Sequence, residues 1–275
     1  GTLPPALTGE LVPCPVDVAE RMPQARVGVG PIRLVYAGRL ERFNKRVMDL
    51  VVLCDAMVAV GVGFHLSIAG RGPAEAELRA GMGEHVRVGR VELLGAVDAD
   101  RMAGVYAGSD ALVLVSGSEG TPVVAMEAMA SGRAVIATER CGGVVETIRE
   151  RSCGTITPVG DMHAMAMAIA GLTRESLRAM GERAYRAARE RYSIEAIAPA
   201  IDRWMEETER APAKVDVRDR ASIATNWTRI LRALGAIGAC SEESLRGLAT
   251  RYLGSMRAPQ MAGALATWLP DRKSV

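Results

Sequence analysis

The sequence predicts an α/β protein built on a doubly wound, six-stranded parallel sheet that is followed by an all-helical C-terminal segment. Between residues 31 and 172, short apolar runs of strand length alternate with segments whose apolar residues recur at helical spacing. The run at 111–115 is apolar throughout, which is typical of a parallel strand buried on both faces. Strands that alternate with helices imply right-handed crossovers and a parallel sheet.

Six strands and the helices between them follow from this pattern in chain order. The strands are predicted at 32–36, 64–69, 91–94, 111–115, 134–137 and 154–157. Helices are predicted from residues 47 and 74 onward, and at about 98–107, 122–131, 142–150 and 161–171. After Leu172 no further strand pattern follows, and 174–191 and 194–209 are expected to be helices rich in Arg and Glu.

Composition shifts divide the chain into three parts. Residues 1–30 are rich in proline and glycine and are predicted to be a connector, 31–209 form the α/β domain, and 210–275 form a helical tail. The arginines of the tail would suit a partner or an anionic membrane surface. Because Glu242 and Glu243 intervene, a solvated helical face is the favoured interpretation, and any membrane contact is expected to be peripheral only.

Charge and cysteine usage exclude several classes of protein. A net charge of +2 is too small to indicate a nucleic-acid surface, and 49% hydrophobic residues suffice for a sizeable core. The five cysteines are scattered without a Cys-x-x-Cys pair, which favours a reducing compartment over disulfides or zinc. No apolar run reaches membrane-spanning length. We therefore expect a soluble, cytoplasmic protein.

The stretch 116–132 predicts an anion site. It follows the buried fourth strand as a glycine-bearing loop and turns into a short helix, with Thr121 as the predicted N-cap, Pro122 at the first helical position and Gly132 closing the far end. Backbone N–H groups and the helix dipole converge there. Arg39 and Lys45, which follow the first strand, could converge on the same anion or could simply belong to a basic loop.

Two glutamates accompany this site. Glu127 is the only ionisable residue of the helix and shares a face with Val123, Met126 and Ala130, which is expected to pack inward. It either turns towards water or holds the hydroxyl groups of a bound ligand, and the second interpretation is favoured because an unpaired buried charge is costly. Glu119 lies in the loop beside the anion site and is expected to face a different part of the ligand.

The frame Glu-Gly-Thr-Pro-(x)4-Glu-Ala-Met-Ala-Ser-Gly, starting at Glu119, resembles the paired-glutamate motif of family 4 glycosyltransferases, which have the GT-B fold. The resemblance extends from about residue 32 to residue 192. It implies retaining transfer of a sugar from a nucleotide-diphosphate donor such as a UDP or GDP sugar. In the family a glycine usually follows the lysine of the first loop, whereas this chain has Arg46.

The resemblance also assigns roles to single residues. Glu119, Arg39 and Lys45 are implied as catalytic: the two cations hold the donor diphosphate, and Glu119 orients the donor sugar. Glu127 is implied to bind the ribose, and Val97 to contact the base. The further implied donor-binding residues are Gly38, Gly72, Gly120, Thr121, Pro122 and Val123. The signature at Gly142 and Gly143 is expected to be structural, with the two glycines allowing close helix approach.

No metal or other cofactor is expected. Asp98-Ala99-Asp100 imitates a metal-binding Asp-x-Asp triplet, but acids that cap a helix are the favoured interpretation, and the three histidines are far apart. In the family an acceptor domain precedes the donor domain. The resemblance therefore implies that a glycan or lipid-linked acceptor is bound by an N-terminal domain missing from this chain, and that the chain alone transfers little sugar.

Two other functions remain open at this point. A non-catalytic nucleotide-sugar-binding module, acting as a sensor or assembly partner, would keep the same motifs. A dehydrogenase is disfavoured because no Gly-x-Gly-x-x-Gly follows the first strand.

Overall fold

A computed structural model of the chain describes residues 13–23 and 30–210. The predicted helical tail lies outside the described residues, apart from Arg210, as does most of the predicted connector. None of the helices in the described part is both long and apolar enough to cross a membrane.

Six parallel strands form one sheet in the order β3-β2-β1-β4-β5-β6, which confirms the predicted fold class. Leu34 at the centre of β1 is paired with Leu66 of β2 on one side and with Ala111 of β4 on the other. The chain order reverses between β1 and β4, so the open crevice for a ligand is expected at the carboxyl ends of these two strands. The strands are β1 (Ile32–Ala37), β2 (Phe64–Ala69), β3 (Val91–Gly95), β4 (Ala111–Leu114), β5 (Ala134–Thr138) and β6 (Gly154–Thr157).

Nine helices surround the sheet within the described ranges. The helix predicted from residue 74 is two short helices, separated at Met82 between Gly81 and Gly83, because glycine is a poor helix former. The helices are α1 (Asp49–Ala59), α2 (Glu75–Gly81), α3 (Gly83–Arg87), α4 (Ala99–Ala107), α5 (Val123–Ala130), α6 (Val144–Arg151), α7 (Met162–Ala170), α8 (Arg174–Arg191) and α9 (Ile194–Arg210).

The sheet separates two apolar cores. Alternate residues of β1 belong to different cores: Leu34 packs with Leu50 of α1, whereas Val35 packs with Met126 of α5. Burial of apolar surface on both faces explains why the central strands are apolar throughout. The position of α5 over the second core fixes where its N-terminus meets the carboxyl edge of the sheet.

Part of the predicted connector packs against the domain. Val16 is buried and donates its backbone N–H to the carbonyl of Tyr192 at 2.8 Å, and the Tyr185 hydroxyl donates to the carbonyl of Ala19 at 2.6 Å. Residues 13–23 thus lie along α8 and bring Asp17 to the edge of the sheet where the candidate site is found. A linking role for residues 1–30 stays a prediction.

Candidate functional site

A cavity of about 950 Å³ lies at the carboxyl ends of β1 to β4, across the point where the strand order reverses. It is the position at which doubly wound sheets bind ligands. The fold brings most of the residues predicted from the sequence into its lining, namely Gly38, Arg39, Lys45, Val97, Glu119, Thr121, Pro122, Val123 and Glu127.

Gly72 and Gly120 lie outside that lining. A Cβ on Gly72 would come 2.2 Å from the carbonyl oxygen of Leu40, so this glycine allows the loops after β1 and β2 to pack together. Gly120 lines a smaller neighbouring cavity of about 400 Å³ together with Asn44 and Ser118. The two cavities share Arg39, Lys45 and Glu119, and they are therefore adjacent at these three residues.

Helix α5 begins one residue later than the sequence predicted. Pro122 is the N-cap, with an extended ψ of 93°, and the Thr121 side chain makes no capping hydrogen bond. The prediction of Thr121 as N-cap was wrong because Pro122 is not helical, and proline also disfavours helical backbone in the residue before it. Gly132 closes the helix at φ +72°, as predicted. The first N–H groups, at Val123 and Val124, have no carbonyl partner within α5 and face the cavity end of the helix.

Lys45 and Glu119 form an ion pair in the cavity wall. The Lys45 Nζ lies 2.5 Å from Glu119 Oε1, and the Ser116 hydroxyl donates to the same oxygen at 2.7 Å. The Glu119 side chain is only 10% exposed. A lysine that could bind an anion is thus held in place by a carboxylate that is itself hydrogen-bonded.

Arg39 and Arg46 occupy different positions. Arg39 is exposed at the cavity rim, and its guanidinium has no hydrogen-bond or ion-pair partner in the described part of the chain. Arg46 lines neither cavity, and its side chain pairs with Asp49 at 2.7 Å. Its backbone has φ +49°, in the left-handed region, which accounts for the glycine usual at this position in family 4 enzymes. Lys45, rather than Arg46, is the basic side chain of this loop that reaches the cavity.

Glu127 lines the same cavity from α5 and is half-buried. The hydroxyl of Tyr106, on α4, donates to its Oε2 at 2.9 Å. Burial raises the pKa of Glu127, and the hydrogen bond from Tyr106 opposes that rise. Burial, and then the charge of Glu127, raise the pKa of Tyr106, so its hydroxyl is protonated at neutral pH. Glu127 therefore faces the cavity and a hydroxyl partner, and the interpretation in which it turns towards bulk water does not fit this geometry.

Three further residues line the cavity and were not predicted from the sequence as site residues, namely Asp17, Arg71 and Tyr106. Tyr106 could have been noticed as the one aromatic residue of the predicted 98–107 helix. Arg71 lies between Gly70 and Gly72 in the loop after β2.

The acidic triplet lies at the rim of the same cavity. Asp98 is the N-cap residue of α4, as predicted, although its side chain makes no capping hydrogen bond. Asp100 lies in the first helical turn, as predicted. In residues 13–23 and 30–210 no three His, Cys, Asp or Glu side chains are grouped to hold a metal ion. The expectation of metal-independent chemistry stays a prediction.

Fold and site together define a doubly wound α/β protein with a helix N-terminus and two carboxylates in a cavity at the switch point. The family model described as "Glycosyl transferases group 1" matches residues 31–175, and the chain belongs to this family. This membership and the fold of its structural relatives confirm the resemblance to GT-B glycosyltransferases.

Relatives with known names support the same family. The phosphatidyl-myo-inositol mannosyltransferase of Mycobacterium leprae is 33% identical over 188 residues, 65% of this chain and 48% of the relative. The glycogen synthase of Mycobacterium tuberculosis is 30% identical over 63% of this chain and 41% of the relative. The chain spans about half the length of the curated relatives that it matches. The pneumococcal O-GlcNAc transferase, solved with UDP and GlcNAc, shares the fold with TM-score 0.57 at 21% identity, over 72% of this chain and 38% of its own.

Proposed function

We propose that the chain is the donor-binding domain of a retaining glycosyltransferase and that a nucleotide-diphosphate sugar occupies the cavity of about 950 Å³. The observation that carries the proposal is that a single cavity is lined by two kinds of group. Lys45, Arg39 and the N-terminus of α5 supply positive charge, and Glu127, hydrogen-bonded to Tyr106, supplies a carboxylate that can accept from hydroxyl groups. A nucleoside diphosphate carries both phosphates and ribose hydroxyls.

The positively charged groups of the cavity suit the diphosphate. The free N–H groups of α5 at Val123 and Val124 bind an anion through hydrogen bonds and the helix dipole. Lys45 supplies a point charge and Arg39 a planar fork for phosphate oxygens. The same groups would stabilise the charge that develops on the diphosphate when the bond to the sugar breaks.

The carboxylates suit the sugar rings. Glu127 would accept hydrogen bonds from the ribose, and Glu119, beside the smaller cavity, would orient the donor sugar. Val97, in the loop after the edge strand β3, would contact the base through its backbone. These assignments leave the choice between UDP and GDP sugars open, because none of these groups distinguishes the two bases.

The relatives favour a transferase over a non-catalytic module, because those named here are a mannosyltransferase and a glycogen synthase. We propose that a glycan or lipid-linked acceptor is bound by a further domain that completes the active site, and that the reaction takes place in the cytoplasm. Weak sugar transfer by the isolated chain stays a prediction.

Calorimetric titration with UDP, GDP and ADP tests the proposal. We expect at least one of them to bind in the micromolar to millimolar range, and Lys45→Met to weaken that binding about tenfold because a charge-assisted phosphate contact is lost. Arg42→Met is the matched control, since Arg42 pairs with Glu77 outside the cavity. If no nucleotide binds, or if the two variants weaken binding equally, the proposal is wrong.

A further inference from the structure

Tyr106 and Glu127 meet across two helices at the cavity wall. The Tyr106 hydroxyl lies 2.9 Å from Glu127 Oε2, and both side chains line the cavity. Tyr106 is 2% exposed, so nearly all of its surface is covered by protein. Its ring belongs to the apolar core that also contains Ala125 and Met129 of α5. The ring position is therefore set by packing, and the hydroxyl is a fixed donor.

The second carboxylate oxygen of Glu127 is available for a ligand. In the described part of the chain, Glu127 Oε1 has no hydrogen-bond partner. An ionised carboxylate has about four lone-pair sites, so one hydrogen bond from Tyr106 leaves ample capacity for two ligand hydroxyls. A half-buried carboxylate without a fixed donor would adopt several rotamers and lose hydration without compensation.

We infer that Tyr106 is a positioning residue, whose hydroxyl holds Oε2 of Glu127 so that Oε1 faces the vicinal hydroxyls of a bound ribose. The inference rests on the proposed function, because it concerns how that site holds a ribonucleotide. Tyr106 itself is not assigned a contact with the reacting atoms. Its contribution is to orient Glu127 before the ligand arrives, so that binding does not have to order the carboxylate.

Paired ligands separate positioning from general structural support. We expect Tyr106→Phe to weaken binding of the ribonucleoside diphosphate about tenfold, the effect of losing a hydrogen bond to a charged group. For the matching 2′,3′-dideoxynucleoside diphosphate, which lacks the hydroxyls that Glu127 holds, the loss should be under about twofold. In a Glu127→Ala background, where no side chain is left for Tyr106 to orient, Tyr106→Phe should cause no further loss for either ligand.

Tyr192→Phe is the matched control. Tyr192 is also buried, and its hydroxyl lies 2.6 Å from that of Thr147, away from the cavity. This variant should leave the affinity for both ligands unchanged. Thermal unfolding of each variant establishes that the fold is intact, and phenylalanine keeps the ring that fills the core.

The outcomes are distinct. Equal losses for the two ligands in Tyr106→Phe would mean structural support only, and no loss would mean no role; either result overturns the inference while the proposed function stands. If the unmodified chain binds neither ligand, both the proposed function and the inference fail.

Discussion

Lys45 and Glu119 are 74 residues apart in the chain, yet Nζ of the lysine lies 2.5 Å from Oε1 of the glutamate. The pair joins the loop after β1 to the loop after β4, the two strands at which the sheet order reverses. A cation proposed to hold the diphosphate is thus partly neutralised by a carboxylate of the same site.

Removal of the Glu119 charge should tighten phosphate binding. We expect Glu119→Gln to increase the affinity for inorganic pyrophosphate about threefold. The substitution removes a negative charge that repels the anion and frees Lys45 from its ion pair, at a site of intermediate dielectric. The glutamine carbonyl can still accept from Ser116, which preserves the loop. Titration calorimetry measures the change, and Glu139→Gln, at an exposed position outside the cavity, controls for net charge. Weaker pyrophosphate binding by Glu119→Gln would contradict this account of the pair.

The buried charge of Glu127 should lower the free energy of unfolding at neutral pH. Burial raises its pKa in the folded state, so the folded protein binds the proton more tightly than the unfolded chain does. The stability contribution of this group is therefore fully present below the unfolded pKa and is lost as the pH rises through the higher folded pKa. Glu127→Gln, which stays uncharged and can still accept from Tyr106, should be the more stable protein at pH 7.

The size and pH dependence of that gain are measurable. We expect Glu127→Gln to raise the free energy of unfolding at pH 7 by about 1 kcal/mol, the usual size of such a site-directed gain. The difference should shrink as the pH falls from the raised pKa of the folded state towards about 4.3, the ordinary value for glutamate, and should vanish below it, where both states of the natural protein are protonated. Urea denaturation of both proteins at pH 7 and pH 4 measures this difference in the free energy of unfolding. A difference that is the same at both pH values would rule out burial of the Glu127 charge as its cause. The same variant should bind ribonucleotides less tightly.

Gly142 should be indispensable for the loop that carries Glu119. A Cβ at Gly142 would lie 1.8 Å from the carbonyl oxygen of Gly120, and its φ is +61°. Gly142→Ala should therefore destabilise the protein by about 3 kcal/mol and weaken nucleotide binding, since the loop must move. The adjacent Gly143 has helical φ and ψ and no atom within 4 Å of its Cβ position, so Gly143→Ala should leave both properties within about 0.5 kcal/mol. Equal effects of the two substitutions in denaturation and titration would refute the close-approach explanation.

At position 46, glycine should give a more stable protein than alanine, the reverse of the usual order of stability. Its φ of +49° places a non-glycine residue in left-handed backbone. Both Arg46→Ala and Arg46→Gly lose the ion pair with Asp49, but only glycine relieves the strain. We expect Arg46→Gly to be more stable than Arg46→Ala by about 1 kcal/mol, whereas alanine is normally favoured in ordinary backbone. Equal stability of the two variants in urea denaturation would show that the strain is absent.

The strands and most helices could be predicted because their apolar residues repeat with the period of the element that they form. The common location of Lys45, Glu119 and Glu127 also followed, since the carboxyl ends of parallel strands meet at one edge. The contacts that these side chains make could not be predicted from the sequence. Whether Lys45 pairs with Glu119, and whether Tyr106 reaches Glu127, depends on the rotation of loops and helices against each other, which no local pattern encodes.

Local backbone geometry was the second feature that could not be predicted from the sequence. Thr121 had the right side chain for an N-cap, but the extended ψ of Pro122 moves the helix start to Val123. Gly72 resembled a ligand-binding glycine, yet its lack of a side chain serves the approach of the Leu40 backbone. In both cases a neighbouring segment decides the outcome, and that neighbour is known only from the folded chain.

The most direct test of the central claim is a crystal structure of the chain with a bound nucleoside diphosphate. We expect the diphosphate at the N-terminus of α5, with oxygens about 3 Å from Nζ of Lys45 and from the N–H groups of Val123 or Val124. The ribose hydroxyls should contact Glu127. A nucleotide bound outside this cavity, or inside it with the diphosphate away from Lys45 and α5, would contradict the assignment of this edge of the sheet as the donor site.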